Sequence, residues 1–182
     1  MRMQCPGVKN DYGRTGSRGD ILTNLQVFDP PRTKPEVGDL FAMQLADQGY
    51  LFGRVISLTA VWTKAIAAGP AVLIYIYDAR RPSADLRVVE DLTPDRLLVA
   101  PIMTNRQPWV KGYFRKIANS SLGNDDVLSR HVFYSVPRRR YYDDAGNEVV
   151  PGSEPIGVYG LHSFRTIDDL VSDAVGIPRV AN

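Results

Sequence analysis

The chain has 182 residues, 44% apolar and 23% charged, the balance of one ordinary globular domain that can bury a core without staples. Its longest charge-free stretch, Ala65 to Tyr77, is interrupted by Gly69 and Pro70, so it falls short of the roughly 20 apolar residues of a membrane-spanning helix. The formal net charge of +2 is uneven. Residues 1–18 carry Arg2, Lys9, Arg14 and Arg18 against Asp11, which leaves the remainder at −1, without the concentrated basic footprint of a non-specific nucleic-acid binder. Cys5 stands alone and no basic start leads into an apolar segment, so the expected compartment is the reducing cytoplasm.

Residues 1–35 read as a disordered or extended arm. Glycines interrupt any period up to Gly19, Ile21 to Phe28 is apolar enough for a short strand or packed arm, and Pro30, Pro31 and Pro35 form a stiff connector. Residues 36–182 read as a single domain. Phe41, Met43 and Leu45 alternate with smaller or polar residues, predicting a half-buried strand. The Asp47-Gln48-Gly49 turn joins it to a second strand over Tyr50–Leu58, with Gly53 marking a bulge or close backbone approach. Val72 to Tyr77 has the β-branched and aromatic composition of a central strand buried on both faces.

Further on, Leu86–Val89 and Leu97–Met103 read as strands, and Thr93-Pro94 as a helical turn. Trp109–Ile117 reads as extended, with core aromatics spaced by snorkelling basic residues. Val132–Val136 and Tyr141-Tyr142 are strand candidates, and Val149-Val150 can pair back across the Asp144–Asn147 turn. Ile167, Leu170, Val171, Ala174 and Val175 form one apolar stripe of a helix, predicted to be capped by Thr166 and stopped by Gly176 and Pro178. The expected class is α+β: a mostly antiparallel, strongly twisted sheet or partly open barrel with a C-terminal amphipathic helix.

The inventory of catalytic groups is thin. His131 and His162 lie in unrelated contexts, no metal-ligand spacing exists, and no phosphate-loop motif occurs. Asp125-Asp126 and Asp143-Asp144 fit turns better than acid catalysis. Arg138-Arg139-Arg140 is the densest charge run and reads best as a solvated edge strand. No catalytic, cofactor-binding or metal residue is therefore assigned. Two alternatives remain. One is a small β-barrel ribonuclease using Arg54, Arg138, Arg139 and His131. The other is a nucleic-acid module using Trp109, Tyr113 and Phe114 with the arginine run.

Four pieces occur in order: Val37-Gly38-Asp39-Leu40-Phe41-Ala42, Tyr50-x-Phe52-Gly53-Arg54-Val55, Ile74-Tyr75-Ile76-Tyr77-Asp78 and Pro108-Trp109-x-x-Gly112-Tyr113-Phe114. Together they resemble the immunity protein family numbered twenty-six of bacterial polymorphic toxin systems. The series continues through His131-x-Phe133, the turn at Gly146, Gly157-x-Tyr159-Gly160-Leu161 and the final helix, so it covers about residues 36–176. The resemblance implies a small cytoplasmic protein that neutralises a cognate toxin by stoichiometric binding, without cofactor or turnover. The motif residues read as architecture, so none is assigned to toxin contact. Near-neutral charge leaves open a local acidic patch from Asp125, Asp126, Asp143, Asp144, Asp168, Asp169 and Asp173.

Overall fold

The structure, a computed structural model, describes residues 22–28, 33–65, 68–85 and 92–181. The tail expected before residue 22 and the strand expected at Leu86–Val89 lie outside the described residues. The alternation after Gly38 produces β2 (Asp39–Leu45), with Phe41, Met43 and Leu45 on one face and Leu40 and Ala42 on the other. The predicted turn, with Gly49 at φ +77°, returns the chain as β3 (Gly49–Ala60). β4 (Ala71–Arg81) pairs along β3, and its middle is buried on both faces as its composition predicts. β1 (Leu25–Gln26) and β6 (Arg115–Asn119) share the other edge of β2, while β5 (Ile102–Thr104) lines the far side of β4.

All these pairings are antiparallel, and the sheet curls into a half-barrel. Three register shifts between β3 and β4 accompany the curl, since each bulge bends and twists its strand. A second sheet comprises β7 (Val132–Ser135), β8 (Arg140–Tyr142), β9 (Glu148–Val149) and β10 (Ile156–Val158), in the order β10-β7-β8-β9. Within it β10 runs parallel to β7.

Three expectations need correction. Trp109 lies in α1 (Gln107–Val110), not in an extended strand. Asn105 Oδ1 accepts the Gln107 N–H at 2.8 Å, Pro108 enters the first turn, and Gly112 at φ +84° ends it. The predicted strand at Leu97–Met103 shrinks to a bridge at Leu97 and to β5, because Pro101 has no N–H for the ladder. The C-terminal helix α2 (Phe164–Val175) ends at Gly176 (φ +78°) as expected, but begins one turn early. Ser163, not Thr166, is its cap: Ser163 Oγ accepts the Thr166 N–H at 3.2 Å. The earlier start brings Phe164 onto Tyr113, with ring centroids 4.7 Å apart.

The first sheet is the middle layer. On one face Phe41 stacks on Phe114 at 4.4 Å and meets Trp109 edge-on at 5.5 Å, beside Ile167 and Val171 of α2. On the other face Phe52, Leu73, Tyr75 and Tyr77 pack with Phe133 of the second sheet. Lys111 and Arg115 lie over the rings of Phe164 and Phe28, as snorkelling cations do. Gly38 and Asp39 fasten β2 to β6. A Cβ at Gly38 would lie 2.2 Å from the Ser120 carbonyl oxygen, and Asp39 binds Lys116 and Asn119, each at 2.7 Å.

Gly53 is the tightest point of the middle layer. A Cβ there would lie 2.3 Å from the Phe41 ring and 2.6 Å from the Tyr75 carbonyl oxygen. Neither neighbour can retreat, since Phe41 is wedged between Trp109 and Phe114 and the Tyr75 carbonyl belongs to the central strand. Gly53→Ala should therefore destabilise the fold by about 1–3 kcal/mol, read as a lower urea midpoint. An unchanged midpoint would refute this account of the sheet.

Candidate functional site

His131, which immediately precedes β7, is the residue of the ribonuclease alternative that meets the most elaborate surroundings. Its Nε2 lies 2.5 Å from the Tyr75 hydroxyl, and its Nδ1 lies 3.3 Å from Asp144 Oδ2. The backbone N–H of Leu128 donates to the same hydroxyl at 3.0 Å. The hydroxyl proton is then free to point at Nε2, which places the ring proton on Nδ1, facing Asp144. Hydroxyl, imidazole and carboxylate thus follow one another as in an activated nucleophile.

Burial turns this chain of groups inward. Tyr75 is fully buried and His131 only 6% exposed, while Asp144 opens to solvent. Loss of solvation pushes the Tyr75 phenol up to about 12, so it remains protonated at neutral pH. The His131 hydrogen bond holds the Asp144 carboxyl below the usual carboxylate range. Chemically, the arrangement can fasten β4 to the second sheet, and it offers no exposed nucleophile. Tyr75 and Asp144 were not legible as partners of His131, because one is 56 residues away in the chain and the other is part of a turn.

Arg54 projects from β3 directly opposite Tyr75 in the register and is 2% exposed. Its guanidinium pairs with Asp126 at 2.7 Å and donates to the Ser120 hydroxyl at 2.7 Å and the Ser121 carbonyl at 3.1 Å. Asp126 also accepts the Gly123 N–H, closing a short 3-10 turn at Asn124–Asp126. Arg138 and Arg139 stand elsewhere, in the β7–β8 turn. Among the described residues none of Arg54, His131, Arg138 and Arg139 shares a polar partner with another. Trp109, Tyr113 and Phe114, the platform of the nucleic-acid alternative, are buried in the first core.

His162 is also buried, which pushes its ring below the ordinary histidine value, and its Nδ1 lies 3.1 Å from the Met103 carbonyl. The seven aspartates do not form one patch. Asp168 is buried and accepts the backbone N–H groups of Asn24 and Leu25, Asp169 and Asp173 meet Arg165 and Arg179, and Asp143 accepts two N–H groups of its own turn. Among the described residues no cluster of three or more His, Cys, Asp or Glu side chains could hold a metal, and no helix is long and apolar enough to cross a membrane. An open cleft of about 550 Å³ lies between the Pro94–Leu97 turn, residues 124–129 and Pro155, with Asp95 and Asp125 on its rim.

The outer face of the second sheet is chemically distinct. Val158, Tyr134, Tyr141 and Val149 occupy one register row across all four strands, so their side chains share a face. The Tyr134 and Tyr141 rings lie 4.9 Å apart, and Val158 and its strand neighbour Ile156 are exposed. Beside the row, Arg138 and Arg139 are exposed at the hairpin tip, and Arg140 opens β8 in an ion pair with Glu148 at 2.5 Å. This corrects the edge-strand reading of the arginine run: β8 lies between β7 and β9.

The model of the family described as immunity protein 26 matches residues 36–137, more than half of the chain. The chain belongs to the immunity protein 26 family. The match takes in β2 to β7 and ends at Pro137; the likeness expected from there to about residue 176 lies outside it. No curated protein and no solved structure matches the chain. Within the matched part, Gly38, Asp39, Gly53 and Arg54 are packing and anchoring residues in this immunity protein 26 member.

Tyr75→Phe should leave the His131 ring nitrogen and the Leu128 N–H without a partner and destabilise the fold by about 1–3 kcal/mol. The acid side follows from Asp144. Because its folded value is depressed, its contribution is complete above the unfolded carboxylate value of about 4 and is lost as pH falls through the lower folded value. The alkaline side follows from Tyr75. Its raised value means the contribution is complete below the unfolded value of about 10 and is lost as pH rises toward about 12. Stability measured across pH should therefore decline at both ends, with Tyr75→Phe flattening the alkaline decline; identical alkaline profiles would contradict the assignment.

Proposed function

We propose that this protein neutralises a cognate toxin of a bacterial polymorphic toxin system by stoichiometric binding, without catalysis. The observation that carries the reading is the internal engagement of His131: its ring nitrogens meet Tyr75 and Asp144 inside the fold, in a chain of the immunity protein 26 family. A binder requires surface shape and no exposed acid–base pair. The buried Arg54 pair supports the same reading, because its guanidinium is spent on Asp126, Ser120 and Ser121.

The partner is a protein toxin, the site of action is the cytoplasm, and residues 36–182 act as one domain to which the β1 segment is added. The test is co-expression with the toxin encoded beside this gene, followed by titration of the purified pair. Growth should be rescued, and toxin activity should fall linearly to an end point at a fixed molar ratio. Undiminished growth arrest, or turnover of mixed RNA by the purified protein alone, would overturn the reading.

A further inference from the structure

The β7–β8 hairpin tip and the row beside it carry an inference that rests on the toxin-binding reading. We propose that the outer face of the second sheet, centred on Tyr134 and Tyr141 and bordered by Arg139 at the hairpin tip, is the toxin-docking surface, and that its occupant is an acidic patch of the toxin polypeptide.

The row Val158–Tyr134–Tyr141–Val149 crosses four strands and so spans about 14 Å at ordinary strand spacing. Tyrosine at the centre of a face with arginine at its border is the composition of interface hot spots. The charges give the partner's sign. Arg130 pairs with Glu154 and Arg140 with Glu148. Arg138 lies over the Tyr142 ring at 5.6 Å, on the opposite side of the sheet from Tyr141, and Arg139 has no carboxylate partner among the described residues. A toxin presenting carboxylates there would meet a cation that needs no internal ion pair broken.

The backbone is the independent observation. Arg139 sits at φ +54°, in the left-handed region, where glycine is the unstrained residue. Its N–H donates to the Ser135 carbonyl at 2.7 Å, closing the tip. The chain thus holds an exposed, unpaired cation where the local backbone favours glycine. Strain of this kind gathers at functional positions. A second copy of the chain fits the face poorly, because a two-fold contact centred on the tip would bring the arginines against each other.

The test measures binding of the full chain to the purified toxin domain encoded beside its gene, at low and high salt. Arg139→Glu should weaken binding about 10-fold or more, and Tyr141→Ala by a similar factor. Arg106→Glu, a matched charge reversal at an exposed position before α1, should leave binding unchanged. Arg139→Gly is the decisive variant. It should leave the melting temperature unchanged or raise it by about 2 °C while weakening binding, which a merely structural arginine would not do.

Tight binding unaffected by all three variants of the face would overturn this surface and leave the toxin-binding reading standing. Absence of binding by the wild-type chain would sink both. Self-association, or retention of RNA, abolished by the same variants in place of toxin binding would assign the face to another occupant and overturn the proposal.

Discussion

One phenol ties the two sheets together. Tyr75 rises from the most deeply buried strand and is gripped by the Leu128 N–H, with His131 beside it and Asp144 behind. A hydroxyl and an imidazole buried this deeply would each be costly if left unpaired. The strands, the 123–129 loop and the β8–β9 turn must therefore arrive together. Such a network specifies one packing of the two sheets, because a partial version leaves polar groups stranded in an apolar layer. Arg54, opposite Tyr75, repeats the principle with Asp126 and the 120–121 backbone.

Much of the architecture was legible because it follows from short-range patterning. Alternation marked β2, β-branched composition marked β4, and an apolar stripe with Gly176 marked α2. Gly53 signalled a close approach, and the Phe41 ring and the Tyr75 carbonyl now account for it. The errors arose where punctuation outweighed periodicity. Around Trp109 the alternation of aromatic and basic residues suggests a strand, yet Asn105, Pro108 and Gly112 fold it into a helical turn. Thr166 resembled a cap, but Phe164 had a partner in Tyr113 and drew the helix start back to Ser163.

The site was less legible for a different reason. The partners of His131 come from residues 75 and 144, Leu128 binds the same Tyr75 hydroxyl, and no spacing rule connects them. The row across the second sheet likewise appears only once β10 is laid parallel to β7, a pairing that hairpin logic does not supply. Charge placement shows the same division. Most arginines and aspartates that looked interchangeable in the sequence have separate structural duties, and at the hairpin tip Arg139 has no carboxylate partner among the described residues.

The extent of recognisable kinship and the extent of the folding unit do not coincide. The family match begins at residue 36, yet Asn24 and Leu25 donate their N–H groups to Asp168 of α2, and β1 covers part of the β2 edge. It stops at residue 137, yet Phe133 inside it packs opposite Tyr142 outside it, and Trp109 shares its core with Phe164, Ile167 and Val171. A fragment trimmed to the homologous stretch would bare a strand edge and both apolar sides of the middle layer at once, a recipe for insoluble material. Expression and dissection of this protein should accordingly respect contacts rather than ancestry, retaining the segment from residue 22 and everything through the turn that follows α2.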